Sequence, residues 1–498
     1  MKSSQQTILI LVFLFLISIL VRLPLLNRPL SKHHEFCTAI ALRIIASWQE
    51  NGIKNLKFKP ATNFGRNEDK FINNYASASG KMKDELGNYY YISHPPLAYY
   101  IPFSFFQLVG IKANVLPLQV FNLLIHALCA VGVFLIVGCL YPKENELNFP
   151  AIAAYAVYLF NPASLWFQSN VYMSDMMVQL PFVFAVLVCT KMLLYEHHLL
   201  KRSIILLLLC FAMVYTSWLG VFFCIATVIL IFRGKLMFSL ALIEILFTAL
   251  VLGLGIAFLQ YSKIAGIENL KEELGCRFAQ RSSLHGWQIF LSNMFGVIKN
   301  YFFNYAAMYL FLTGSVLSVY LIRRRIRMGA ILSNVLAISV LPIILLHLVL
   351  SDYSGHDFTV LYATLPFSIF TGFLAERLYG HVSIKFLIFG TGMFVLLNIA
   401  QFYYINRPGE ISQSGDRYDT FMNEGTFIKQ HANADEIVFA LNYKPSPETI
   451  WYAHVNIKTV SSEAEARVFL QARKLNKGVI FFRNEKNELA FFRVNASE

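Results

Sequence analysis

The sequence predicts an α-helical polytopic membrane protein with about 11 transmembrane helices and a small C-terminal α/β soluble domain. Three observations predict it. Of the 498 residues, 56% are hydrophobic and only 14% charged, where soluble domains carry about 25% charged residues; mean hydropathy is +0.53. The apolar residues fall in blocks long enough to cross a bilayer, which takes roughly 20 residues. After Tyr404 the pattern changes, and short strand-like runs replace the long blocks. The chain therefore divides into a membrane domain, 1–404, and a soluble domain, 405–498. Within the first, 27–115 is a long outer loop carrying surface helices.

The first apolar block, 8–26, follows Lys2 and carries Arg22 and Pro24 where a leader peptide would have its small-residue cleavage site. It reads as a retained anchor. Further blocks lie at 116–140, 149–167, 176–194, 203–232, 236–261, 297–322, 330–350, 359–378 and 385–404. Block 203–232 has Thr216, Ser217, Trp218 and Gly220 at its centre and basic residues at both ends: Lys201 and Arg202, then Arg233 and Lys235. Basic residues favour the cytoplasmic side, so this block reads as two short helices meeting near Trp218 on the far side. Lys143, the run Arg323, Arg324, Arg325 and Arg327, and the pair Arg377 and Lys385 then also face the cytoplasm. The N-terminus is cytoplasmic and the C-terminal domain extracytoplasmic, in a multi-pass protein of the cytoplasmic membrane. Much of the net charge of +13 is thereby an orientation signal, and no nucleic-acid partner is implied.

On the outer face, 35–50 reads as an amphipathic helix suited to the membrane surface. Segment 98–109 is too short to span and reads as a partly embedded helix. Segment 262–293 reads as helical with mixed charge. In the tail, 437–441, 479–482 and 489–494 read as strands, 463–474 as a helix and 484–487 as a turn. Cys129, Cys139, Cys189, Cys210 and Cys224 lie in apolar blocks as small hydrophobes. Cys37 and Cys276 fall in outer segments, where a disulfide between them is conceivable but not established by two cysteines.

Ionisable groups at membrane depth or at span ends are costly and become default functional candidates. Four clusters qualify, all on the outer face: His33, His34 and Glu35; Ser93 to Pro96 around His94; Ser169 to Asp175, including Tyr172; and Ser351 to Asp357, including His356. Each has an ordinary explanation. Glu35 and Asp175 suit helix N-termini, and Pro95 and Pro96 suit a first helical turn. Their convergence on one face is what those explanations leave open. His126 and His347 read as packing histidines. Glu244 falls inside a block, and no role is assigned to it.

Taken together these motifs resemble the bacterial protein O-mannosyltransferase and aminoarabinose-transferase members of the GT-C glycosyltransferases, the family 39 type. The resemblance covers 12–373. It rests on an acidic position just after the first span, on Tyr89 to Tyr100 with His94-Pro95-Pro96-Leu97 before a short helix, on Asn161-Pro162 followed by Ser174-Asp175-Met176, and on Tyr362 with Pro366 opening a late span. The family has an Asp-Glu pair at the first position; this chain has His34-Glu35. Glu35 as base, His34 as base, or altered chemistry all fit that departure. Glu35 is favoured, because a carboxylate takes a proton and also offsets positive charge developing at an anomeric carbon.

The resemblance implies an inverting single displacement from a polyprenyl-phosphate sugar to a glycan, lipid or protein acceptor at the outer face. Glu35 and His34 are the catalytic candidates. His94, Asp175, Tyr172, Arg277, Arg281, His356, Asp357 and Tyr362 are the substrate-binding candidates, with Arg277, Arg281 and His356 for the lipid phosphate. No cofactor is required; a divalent ion on Asp175, Glu35, His94 and His356 is allowed but demanded by no spacing. A lipid-linked-sugar flippase and a glycan polymerase or ligase are the alternatives. Transporters place charges near the midplane on broken helices in matching halves, and no internal repeat is seen here.

Overall fold

In the computed structural model, residues 2–31, 33–143, 146–195, 197–234, 240–282, 286–323, 328–406 and 419–497 are described. The orientation signals Lys235, Arg324, Arg325 and Arg327 lie outside them. The helices in chain order are α1 (Lys2–Arg22), α2 (Phe36–Asn51), α3 (Leu97–Leu108), α4 (Val115–Leu140), α5 (Phe149–Phe160), α6 (Pro162–Phe167), α7 (Ser174–Met177), α8 (Gln179–Leu194), α9 (Leu199–Val214) and α10 (Trp218–Phe232). They continue with α11 (Leu240–Ala265), α12 (Ile267–Arg281), α13 (Trp287–Arg323), α14 (Ala330–Val349), α15 (Ser351–Ser354), α16 (Thr364–Leu378), α17 (Ile384–Ile405), α18 (Thr420–His431), α19 (Pro447–Ala453) and α20 (Glu463–Ala472). Strands are β1 (Ile437–Leu441), β2 (Ile457–Val460), β3 (Lys477–Arg483) and β4 (Leu489–Asn495).

Among the described residues, eight helical stretches are long and apolar enough to cross a membrane. The other three expected spans form helices too, but shorter ones: α5, α9 and α10 have 12, 16 and 15 residues. At 1.5 Å per residue the longest of these reaches about 24 Å, less than a hydrocarbon core of about 30 Å. The chain is a multi-pass, mostly helical membrane protein. It folds into two compact units, one built from Met1–Leu26, Gln119–Ala257 and Phe278–Asn406, the other from Asn27–Leu118, Phe258–Arg277 and Arg407–Glu498.

In the first unit, α5 is buried on every side, as expected of a helix apolar all round; α1, α16 and α17 pack on it. The break predicted in block 203–232 is present: α9 ends at Val214 and α10 starts at Trp218. Gly220 makes the reversal feasible, since a Cβ there would lie 2.3 Å from the Met213 carbonyl carbon and 2.4 Å from the Val214 nitrogen. Backbone cannot yield as a side-chain tip can, so Gly220→Val should splay α9 from α10. We expect overpacking on the order of 1–3 kcal/mol or more, read as a lowered unfolding midpoint of the purified protein. Glu244 is the fifth residue of α11 and is exposed, so it sits near a helix end rather than mid-span.

In the second unit the sheet order is β2-β1-β3-β4, parallel between β1 and β2 and between β1 and β3, antiparallel between β3 and β4. Both faces of β1 and β3 are buried, which explains why those two strands read as continuous apolar runs. One face packs Val438, Ala440, Val479 and Phe481 with Phe64; the other packs Ile437, Phe439 and Ile480 with Ile72. Phe64 and Ile72 belong to the long loop after the first span, so loop and tail share a core. Helix α2 differs from expectation. It is buried from Cys37 to Trp48 rather than lying amphipathically at a surface, because α3 and α19 pack against it. Its buried Arg43 donates to the Asn74 and Thr62 carbonyls and to Asn456 Oδ1. Cys37 and Cys276 are both free thiols.

Candidate functional site

In the second unit the centre is Glu35. It occupies the N-cap position of α2, yet its side chain makes no capping bond. The carboxylate turns back onto the preceding arm instead. Arg28 grips it with two parallel bonds, Nη1 to Oε2 at 3.0 Å and Nη2 to Oε1 at 2.9 Å. The Ser31 N–H and hydroxyl donate to Oε2 at 2.6 and 2.7 Å. Fork-on-fork pairing fixes the plane of the carboxylate as well as its position. Glu35 is 1% exposed. His34 adopts a left-handed backbone, φ 57°, and His33 is buried beside it, with ring centroids 5.8 Å apart.

The tail reaches this arm. Leu30 N–H donates to Tyr452 Oη of α19 at 2.8 Å. One turn earlier on α19, Glu448 is buried, and burial first, then the charge of Glu35, push its carboxyl up to about 8; Ser446 works against the shift. Tyr75 and Tyr452 sense the same carboxyl, and from α18 Glu424 accepts from its neighbour Thr449. A carboxyl raised in the fold favours the folded state fully below about pH 4.5, its unfolded value. That contribution is lost as pH climbs through about 8. Glu448→Gln should therefore leave the unfolding midpoint unchanged near pH 4.5 and raise it relative to wild type at pH 8, measured by thermal unfolding across that range.

His94 is buried, and its carbonyl accepts from Tyr261 Oη at 2.7 Å. Pro96 is the N-cap of α3, and α3 lies against α2, Tyr100 stacking on Trp48 at 5.2 Å. Arg277, expected near a phosphate, is taken up otherwise: it bonds Glu273 at 3.0 Å and the Ala76 carbonyl at 2.8 Å, and sits over the Tyr91 ring. Glu273 collects the hydroxyls of Ser77 and Ser79 and the N–H groups of Ala78 and Ser79, all at 2.7 Å. Burial would raise the Glu273 carboxyl, but these donors outweigh it and hold it below the usual range. This knot fastens loop 76–79 to α12.

In the first unit the third and fourth clusters meet. After α5, Asn161 caps α6 by accepting from Ser164 N–H at 2.9 Å. The buried Arg22 guanidinium satisfies the Ser164 and Leu165 carbonyls at 3.1 Å each and the Ser18 carbonyl at 2.9 Å. The chain then turns through Ser169 to Tyr172, whose buried ring meets Phe121 edge-on at 5.9 Å. Asp175 follows on α7, fully buried. It accepts from Tyr353 Oη at 2.6 Å, from Tyr362 Oη, and from Ser174 Oγ at 3.1 Å. The helix it opens is capped by Met173 without a side-chain bond, so Asp175 is a phenol acceptor, not a helix cap. Arg281 lies over the Tyr353 ring, 5.0 Å from its centre. His356 is exposed and stacks on Phe358 at 5.3 Å, while Asp357 is buried. His347 meets Tyr301 Oη at 3.0 Å and His126 stacks on Tyr158, both as packing residues.

An apolar cavity of about 560 Å³ opens in the first unit between α13, α14 and α16, lined by Ile298, Ile343, His347, Phe367 and Phe370 among others. Its lining does not include the residues flanking Trp218. Among the described residues no three His, Cys, Asp or Glu side chains are grouped to hold a metal ion. Both Glu35 oxygens already serve Arg28 and Ser31, so the residues present do not fit a divalent ion at that carboxylate.

No family model and no curated protein matches the chain. Solved structures do. ArnT from Cupriavidus metallidurans bound to undecaprenyl phosphate aligns with TM-score 0.59 at 10% identity, over 95% of this chain and 93% of that one. The oligosaccharyltransferase AglB from Archaeoglobus fulgidus, in complex with an inhibitory peptide and a dolichol-phosphate, aligns with TM-score 0.57 at 10% identity, over 98% and 74%. The Archaeoglobus fulgidus oligosaccharyltransferase in complex with Zn and sulfate gives TM-score 0.55 at 12% identity, over 95% and 68%. The chain shares the fold of ArnT and of AglB.

Proposed function

We propose that this chain, folded as a GT-C membrane protein, is a glycosyltransferase that moves a sugar from a polyprenyl-phosphate donor to a glycan, lipid or protein acceptor at the outer face of the cytoplasmic membrane. The observation that carries the reading is a buried, four-donor carboxylate, Glu35, directly after the first span of a chain that aligns along 95% of its length with a structure bound to undecaprenyl phosphate.

In this reading Glu35 takes the proton of the acceptor hydroxyl on Oε1, which receives one bond, from Arg28, where Oε2 receives three. The acceptor oxygen attacks the anomeric carbon, the carbon–oxygen bond to phosphate breaks, and polyprenyl phosphate leaves with the electron pair and inversion of configuration. Arg277 is committed to Glu273, so Arg281 and His356 stay the candidates for the leaving phosphate. Asp175, which accepts from Tyr353 and Tyr362, remains a substrate-binding candidate together with Tyr362, Tyr172, His94 and Asp357. The cavity between α13, α14 and α16 suits an isoprenoid chain, being apolar throughout. His34 is the weaker base candidate. No step is assigned to a metal.

Transport loses the support that a mid-span carboxylate would lend it, since Glu244 is exposed near the start of α11. The test is turnover. Purified protein in liposomes is given a panel of radiolabelled polyprenyl-phosphate sugars and a membrane extract. Release of polyprenyl phosphate with label transferred to an acceptor is the expected result. Lipid translocation without any transfer, across the whole panel, would overturn the reading.

A further inference from the structure

We propose that α19, in the tail, is a positioning element for Glu35, acting through Tyr452 and the backbone of Leu30 and Ser31. The proposal rests on Glu35 being the base. Ser31 supplies two of the four donors to that carboxylate, one of them a backbone N–H at 2.6 Å. A backbone donor is placed only as well as the backbone itself. One residue earlier, the fully buried Leu30 sends its N–H to the Tyr452 hydroxyl at 2.8 Å. Remove that hydroxyl and a buried N–H loses its acceptor, which the backbone tends to relieve by moving.

Tyr452 is itself well fixed. The Ser446 hydroxyl caps α19 through Thr449 N–H at 3.1 Å. Ile450 and Ala453 are set in the sheet core. Tyr75 Oη holds the preceding Pro445 carbonyl at 2.8 Å. Helix α19 also packs on α2, whose first residue follows Glu35. The arm before the carboxylate and the helix after it are thus both referenced to one tail helix. A base held this way depends on the tail for its aim, and small misplacements of a reacting group cost large factors in rate.

The experiment uses the full chain in liposomes and compares wild type, Tyr452→Phe, Glu35→Gln and Tyr90→Phe, the last losing a tyrosine hydroxyl that bonds Asp84 in the same unit. Tyr452→Phe should lower kcat about 10-fold with the donor KM unchanged, because only the chemical step needs the aim. Tyr90→Phe should leave kcat at the wild-type value. Hydrogen exchange of the peptide covering 28–35 should quicken in Tyr452→Phe and stay as in wild type in Tyr90→Phe, a readout that needs no turnover. Unchanged exchange there, or a raised KM at constant kcat, overturns the proposal while the base assignment stands. Full transfer by Glu35→Gln overturns the base assignment instead.

Discussion

Glu35→Gln should cut sugar transfer by about 10³-fold, within the 10²–10⁴ that general base catalysis contributes. The amide keeps the shape of the side chain but cannot accept a proton at neutral pH. The variant carries a second consequence. Arg28 meets both Glu35 oxygens with N–H donors, and its side chain is only 8% exposed. Whichever way the glutamine amide turns, an NH₂ faces a donor from Arg28 or Ser31. A buried cation left half-paired costs about 3–5 kcal/mol, so loss of activity through unfolding must be separated from loss of the base. Arg28→Met with Glu35→Gln removes cation and carboxylate together and should recover much of the unfolding midpoint while transfer stays at the Glu35→Gln level. Transfer by the double variant at the wild-type rate would show that Glu35 serves the arm and not the reaction. Initial rates and thermal unfolding on the same preparations decide the matter.

Asp175→Ala should be the most destabilising single change in the first unit. Asp175 receives two tyrosine hydroxyls and one serine hydroxyl at a site without solvent. Alanine strands both phenols, at about 1–3 kcal/mol for each buried donor left without its acceptor, and opens a void. Asp175→Asn behaves differently. Both tyrosines use the same oxygen, Oδ1, which the amide carbonyl can replace, while the new NH₂ can donate to the Ser174 hydroxyl. We expect Asp175→Asn to keep its unfolding midpoint within a few degrees of wild type, and Asp175→Ala to lose more than ten degrees or fail to accumulate. Equal midpoints for the two variants would mean that the phenols find other partners. Against that stability background, transfer rates for Asp175→Asn report whether the negative charge, rather than the hydrogen-bond geometry, matters to substrate.

Much of the architecture was legible in one dimension because bilayer crossing leaves a local mark. A run of apolar residues signals a span wherever it occurs, and the basic residues at both ends of block 203–232 marked the reversal near Trp218; the close approach that Gly220 permits there is a feature of the structure. The tail strands were equally visible as short apolar runs, and β1 falls where the sequence placed it. Strand β2 was not foreseen: four residues, Ile457–Val460, with Lys458 and Thr459 at the centre, carry too little apolar signal to stand out.

The site was legible in its carboxylates and not in their partners. Glu35 and Asp175 stand out because an acidic residue beside an apolar block is expensive and so rare. Arg28 does not, since it sits in an irregular arm where no period links positions 28 and 35; Tyr353 and Tyr362 are ordinary letters in an aromatic-rich chain. Arg277 drew attention as a phosphate candidate although Glu273, four residues earlier on α12, is its local ion-pair partner; hidden from the sequence were the Ala76 carbonyl that also takes its guanidinium and the loop donors that hold Glu273. The burial of α2 was hidden for a related reason: its covering helix α19 and the sheet residues that share a core with Phe64 and Ile72 lie at the other end of the chain.

By itself, then, the sequence determined the membrane class, the helical blocks, their breaks and the rare acidic positions, because each follows from the solvent a short segment can bear. Only the tertiary structure decided which cation holds Glu35, which phenols hold Asp175, and that the tail shares its core with the first long loop. Those are pairings between distant residues, and a hydrogen bond requires two groups to meet in space, which residue order along the chain does not encode.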